Sequence, residues 1–440
     1  MQTYFNELAD YLTTQLRGDE VFLANFSGEQ SDFVRFNTSA IRQAGNVLEK
    51  AMSVELIVGS RHAGATVTLS GEQAADRGRL DGVLAALRER VPHLPEDPHL
   101  LYAKDVTNTQ QHGDNRLPEQ GAAVNEILTA GVGRDLVGIY AHGGIFRGFA
   151  NSLGQRNWFS AYTFNFDWCF CHSKDKAVKT TYAGFEWDSE EFARKTSSAA
   201  EQLGLLAREP KTVPPGSYRA YLAPAAVAEL LETVCWGGFG LKAHRTKSTS
   251  LLKMIEAKAR LGLCVTIAEN TREGMAPNFQ SAGFMRPERV VLIDGGELAG
   301  CLVSPRSAKE YGERPNGASS SETPESLDVE AGDLPAAEVL RRLDTGVYIN
   351  NLWYLNYSDR PACRITGMTR FATFWVEGGQ IAAPLSVMRF DETIYRMLGE
   401  NLLHLTQERD FLPSTSTYGG RSTDSVRTPG ALVECLRFTL

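Results

Sequence analysis

Phe5, Leu8, Leu12 and Leu16 recur three to four residues apart, which places them on one stripe and predicts an amphipathic first helix. After Glu20 the period changes. VFLANFSGEQSDFVRFNTSAIRQ and SVELIVGSRHAGATVTLSG are rich in β-branched and aromatic residues and read as strands, with Gly59 and Gly64 bracketing a hairpin around Arg61 and His62. DRGRLDGVLAALRERV returns to the helical period and is expected to cover one face of that small sheet. Another helix is predicted near 119–131, before strands running from LVGIYAHGG through NWFSAYTFNFDWCFCHS to KTTYAGFEWD. There Phe164, Phe166, Trp168 and Phe170 alternate with Asn165, Asp167, Cys169 and Cys171, so the aromatic side chains point one way and the others point the opposite way. A helix over 189–207 closes this stretch.

Proline marks the expected boundaries. VPHLPEDPHL and REPKTVPPGS read as breaks, which divides the chain into an N-terminal unit at 1–110, a central unit at 111–208 and a β-rich C-terminal unit at 217–440. Beyond the second break YRAYLAP reads as a strand, and Pro224 opens the helix AAVAELLETVC, where its missing N–H costs nothing. The remainder is mostly β, with turns at IDGGELAG, VEGGQIAAP and STYGGRSTD, and RPNGASSSETPESLDVEAGD reads as a long polar loop. Helices and antiparallel strands are segregated rather than alternating, so the expected class is α+β.

Composition narrows the function. The 440 residues exceed one ordinary core, and 22% charged residues with a net charge of −8 are well mixed. Phosphate neutralisation needs clustered Lys and Arg, so no nucleic-acid partner is expected. No window of 18 apolar residues suggests a membrane span, and the first helix lacks the apolar region of a signal peptide. Seven cysteines without framework spacing fit a reducing cytoplasm.

HExxH, paired CxxC, GxxxxGK[ST] and GxSxG are all missing from the sequence. His142, in AHGG, is expected at a structural turn. Cys169, Cys171 and His172 group soft ligands, but the two thiols share a strand face that the imidazole does not. His244, in AHRTKSTSLLKM, occupies a helical position suited to metal chemistry, yet no second ligand follows one turn later. Cys363 lies between Arg360 and Arg364, which are expected to lower its pKa and make it the best single nucleophile. NNLWYLNY, at 350–357, alternates aromatics with Asn; sheet packing and an edge that accepts a peptide strand are both open readings.

Several stretches together resemble the TldD/PmbA family, also called modulators of gyrase. They are DFVRFNTSAIRQ with Arg35 and Ser39; GIYAHGGIFRGFANSLGQRNWFSAYTFNF with Asn151, Ser152 and Gly154; and YLAPAAVAELLETV. They continue through RVVLIDGGELAGCLVSPRSAKEYG, SLDVEAGD, DTGVYINNLWYLN and ITGMTRFATFWVEGGQIAAPL to TPGALVECLRF. The resemblance spans essentially the whole chain. It implies one of two subunit kinds: a zinc peptidase with a His-Glu-x-x-x-His helix, or a TldE/PmbA-like subunit that keeps the fold without the ligands. With only His244 and Cys363 near the relevant segments, this chain resembles the second kind. The resemblance therefore implies no catalytic or metal-binding residue and no cofactor here, with zinc in a TldD-like partner of a cytoplasmic heterodimer that cleaves unfolded or leader peptides. Asn351, Trp353, Tyr354, Phe371 and Thr373 are the expected peptide contacts, along strand edges at 350–357 and 371–376. The alternatives are a non-enzymatic binding regulator acting as a homodimer, and a self-sufficient hydrolase using Cys363 or a metal gathered by His142, His172 and His244.

Overall fold

The structure is a computed structural model and describes residues 1–173 and 176–439. Its first part comprises α1 (Gln2–Gln15), β1 (Val21–Asn37), β2 (Ala40–Val58), β3 (Arg61–Thr68), α2 (Gln73–Arg90) and β4 (Thr109–His112). It continues with α3 (Gln120–Gly131), β5 (Asp135–Asn151), β6 (Arg156–Ser173), β7 (Lys176–Gly184) and α4 (Ser189–Leu206). Among the described residues these strands form one seven-stranded sheet, ordered β3-β2-β1-β5-β6-β4 with β7 also on β6. The boundary expected at 110/111 therefore falls within a single sheet, because β1 pairs with β5 from Leu23↔Asn151 to Phe36↔Gly138. Proline marked a crossing segment there, not the end of a core. The β2–β3 hairpin turns at Gly59, whose φ of 61° suits glycine, and Arg61 and His62 open the returning strand.

Strand alternation decides how this sheet is covered. Even-numbered side chains of β1, β5 and β6 face the helices: Phe22, Phe26, Phe146 and Trp158 pack with Phe5, Leu8 and Leu12 of α1 and with Leu80, Leu84 and Leu87 of α2. Further along the same face, Phe164, Phe166, Trp168 and Phe170 pack with Ile127 of α3 and Phe192 of α4. The aromatic face is as expected. The opposite face is not solvated, although its residues are polar: Asn157, Thr163 and Asn165 are each about 2% exposed because the second part of the molecule lies against them.

That second part contains β8 (Gly216–Leu222), α5 (Pro224–Cys235), α6 (Leu241–Arg245), β9 (Ile267–Glu269), β10 (Val290–Asp294), β11 (Glu297–Leu298) and β12 (Ser326–Val329). Then follow β13 (Gly346–Ile349), β14 (Trp353–Asp359), β15 (Arg364–Met368), β16 (Thr373–Glu377), β17 (Gln380–Pro384), β18 (Arg389–Thr393), β19 (Leu402–Pro413) and β20 (Ser425–Phe438). Its sheet runs β11-β10-β9-β12-β20-β8-β13-β16-β17, with β14, β15, β18 and β19 attached beside this path. The two-residue Gly-Gly turns at 295–296 and 378–379 have positive φ at both positions, as tight hairpins require, and so match the expected turns. Pro224 sits in the first turn of α5, also as expected.

Two expectations fail here for physical reasons. The polar stretch read as a loop contains β12, a wholly buried strand between β9 and β20. Its Asp328 is buried because the Asn270 amide donates to it at 2.8 Å and Arg409 at 2.7 Å, partners from distant sequence. His142 does not lie in a turn. It lies within β5, buried and stacked on Tyr140 at 5.2 Å.

The joint between the two sheets centres on Arg421, from the loop between β19 and β20. Its guanidinium donates to Ser31 Oγ at 3.3 Å, Gly143 O at 3.3 Å and Thr163 O at 2.8 Å. Ser31, Gly143 and Thr163 are mutual register partners, so one side chain grips three adjacent strands in a single row. The Arg421 N–H also donates to Glu29 at 2.9 Å.

Candidate functional site

α5 carries Glu229 and Glu232 three residues apart on one helical face, and Trp236 follows as its C-cap. That face, with Lys179 of β7, Leu352, Trp353, Tyr354, Leu355 and Phe371, lines an open groove of about 610 Å³. The groove lies where the two sheets meet. Glu229 is held from below: its carboxylate accepts the Leu352 N–H at 2.6 Å and the Asn351 amide at 3.3 Å, and Lys179 stands 3.6 Å away. The Lys179 ammonium also lies 5.7 Å from the centre of the Phe371 ring. Glu232 opens into the groove and, among the described residues, makes no hydrogen bond or ion pair.

Burial pushes the Glu229 carboxyl up to about 7, against the opposing pull of Lys179 and its two hydrogen bonds. Burial raises Glu232 as well. A folded-state value above the unfolded one means that the native chain binds more protons between pH 4.5 and 7. Glu229 therefore subtracts stability as pH rises through that window, by up to roughly 3 kcal/mol. Urea midpoints measured at pH 5 and pH 8 are expected to show this fall, and Glu229→Gln should remove part of it. Glu269, also raised to about 7 by burial, keeps its own share in that variant.

Among the described residues β14 pairs with β15 alone, so its other edge is unpaired there. Tyr354 stands 75% exposed beside that edge, and Arg370 lies 4.6 Å from the Trp353 ring centre. The reading of 350–357 as an edge fits this geometry. The reading of 371–376 does not, because β16 lies between β13 and β17 with both edges occupied. Thr373 is accordingly buried opposite Ile349, with its hydroxyl bonded to Phe371 O. Asn351 is also buried and acts by holding Glu229. Trp353, Tyr354 and Phe371 are the expected contacts that reach the groove.

The remaining candidates lie elsewhere. His244, in α6, is half-buried with Nε2 at 2.7 Å from Gly238 O, and burial lowers its pKa. Cys363 is fully buried, and burial pushes its thiol up to about 12, the reverse of the expected lowering. Its arginine neighbours turn away, Arg360 to Trp236 O and Arg364 to Asp391. Burial likewise pushes Cys169 up to about 12. His142, His172 and His244 do not converge, and among the described residues no three His, Cys, Asp or Glu side chains are grouped to hold a metal ion.

A profile of the PmbA/TldA metallopeptidase C-terminal domain matches residues 215–440, just over half the chain. The chain belongs to the TldD/PmbA family. No curated protein sequence matches it. Among solved structures, TldE from Thermococcus kodakarensis superposes with a TM-score of 0.78 at 13% identity, covering 99% of this chain and 100% of that one. A candidate modulator of a DNA gyrase from Thermotoga maritima gives 0.75 at 14% identity, covering 99% of each chain. Another from Bacteroides thetaiotaomicron gives 0.72 at 16%, covering 99% of this chain and 98% of that one. At these identities the likeness is one of fold.

Membership raises the question of zinc. A catalytic zinc takes three protein ligands and keeps one open position. The groove of this TldD/PmbA chain offers two carboxylates and no imidazole, and the Lys179 ammonium beside Glu229 opposes a second cation. The residues present do not fit the metal. Glu229, Glu232 and Lys179 escaped sequence reasoning, although the three-residue spacing of Glu229 and Glu232 on one expected helix is a usable signal. No helix of the described residues is long and apolar enough to cross a membrane.

Proposed function

We propose that this chain is a zinc-less TldE/PmbA-like subunit that pairs in the cytoplasm with a zinc-bearing TldD-like subunit and holds extended peptides for cleavage. The observation that carries this reading is the groove itself. It joins an unpaired strand edge to exposed aromatic rings, and its carboxylates lack the ligand set for a metal. An unfolded or leader peptide would add to β14 by main-chain hydrogen bonds, with alternate side chains directed into the groove. The partner would supply the activated water that hydrolysis requires. Lys179 and Glu229 brace the groove floor, and Trp353 and Phe371 offer apolar contact without chemistry of their own.

Reconstitution with a zinc-bearing subunit from the same source is the test. Cleavage of an unfolded peptide is expected only when both chains are present, with each chain alone at background. Full activity from the zinc subunit alone would remove the role assigned to this chain. Cleavage by this chain alone would make it an enzyme in its own right.

A further inference from the structure

We propose that the groove beside β14 selects a lysine or arginine side chain of the bound peptide, seated against Glu232 and walled by Trp236, Tyr354 and Phe371. This rests on the peptide-holding reading above and adds a side-chain preference to it.

Lys179 stands 3.6 Å from Glu229, so that pair is internally balanced. Glu229 is further committed to the Leu352 N–H and the Asn351 amide. Glu232 has no such partner among the described residues, and it lies one turn beyond Glu229 on the same face. Lys179 also attracts Glu232, but one ammonium faces two carboxylates, so the groove carries a net negative charge that a peptide cation would complete.

Trp236 is 67% exposed and Tyr354 75% exposed, an arrangement that costs apolar hydration unless something covers the rings. Aromatic faces around a carboxylate suit a cation on an apolar stem: the methylenes lie on the rings and the charge meets both the ring faces and the carboxylate. The neighbourhood already makes such contacts internally, with Lys179 over Phe371 and Arg370 over Trp353. Tyr354 belongs both to the unpaired strand and to the groove wall, so a peptide on that edge would present a side chain directly to Glu232.

The test uses fluorescein-labelled unfolded peptides identical except at one position, which holds Lys, Arg, norleucine or Glu. Affinity is read by anisotropy on the purified chain and on the assembled pair. Lys and Arg peptides are expected to bind at least about ten-fold more tightly than the norleucine peptide, an increment of the size expected for a desolvated charge pair. Glu232→Gln should reduce that ratio below about two-fold, and Glu232→Lys should shift the preference to the Glu peptide. Circular dichroism should match wild type in Glu232→Gln and the unfolding midpoint at pH 7 should be no lower, since no hydrogen bond is lost and a carboxylate raised by burial is removed. Equal affinity for the Lys and norleucine peptides would overturn the side-chain preference while leaving peptide holding intact. A ten-fold preference that survives Glu232→Gln would overturn the assignment to this groove. Failure of every peptide to bind either preparation would overturn the peptide-holding reading and this inference together.

Discussion

Arg421→Ala is expected to lower the stability of the protein by about 3–5 kcal/mol, the scale for stripping one partner from a buried charged network. The guanidinium is buried, and burial pushes its pKa down to about 10 while the Glu29 carboxylate pulls the other way. Its loss would remove a donor from the carbonyls of Gly143 and Thr163 and one of the two guanidinium charges, with that of Arg147, that act on the buried Glu29. Arg421→Lys should recover less than half, because one ammonium cannot span three strands as the planar fork does. Urea denaturation followed by far-UV circular dichroism and by tryptophan fluorescence measures the cost. Trp158 and Trp168 report on the first sheet and Trp375 on the second. Because Arg421 joins the two sheets, the fluorescence and dichroism transitions are expected to separate in Arg421→Ala. A variant within 1 kcal/mol of wild type would show that the joint is held by other contacts.

The same joint explains what was legible in the sequence. Periodicity is a local property, and it found α1, α2, α3, α4 and α5 and the aromatic face of β6, where each residue's neighbours along the chain carry the signal. It also found the Gly-Gly hairpins, since positive φ at two successive positions is a demand on residue type. β12 escaped because its burial depends on Asn270 and Arg409, which no local pattern reveals. The sequence places the polar side chains of β6 opposite the aromatics, as the structure does. That it meets a second sheet rather than water is a fact of tertiary packing. The proline-marked boundary near 110 failed in the same way, since β1 and β5 find each other across it.

At the candidate site the failures were of a different kind. Reactivity singles out Cys363 and His244 in the sequence, and burial removes the thiol from chemistry. Thr373 is expected on an accepting edge at 371–376, but the sequence there does not distinguish an edge strand from an interior one. Glu229 and Glu232 looked like ordinary helix charges, and only the placement of β7 and β14 beside them makes a groove.

Gly143→Ala is expected to be among the most damaging single substitutions in the chain. Gly143 has φ of 144°, and a Cβ there would stand 2.0 Å from Gln30 O and 2.7 Å from the Ser31 Cα. Both obstacles are backbone of the central strand β1, so no side chain can turn aside to relieve them. The substitution would have to part β1 from β5 at the row where Arg421 reaches across. A strained backbone alone costs about 1–3 kcal/mol. Added to the broken ladder and the displaced Arg421 contacts, the total should exceed about 4 kcal/mol, a size reached only by substitutions that break a specific buried feature. Gly144→Ala is the control one residue on, where the nearest neighbours are the rings of Phe146 and Tyr162, side chains that can move. It should cost clearly less. The two variants also separate local strain from damage at the joint. If coupling through Arg421 is what fails, Gly143→Ala combined with Arg421→Ala should cost less than the sum of the two single changes, since both remove the same row of contacts. A fully additive pair would mean that the glycine serves the first sheet alone.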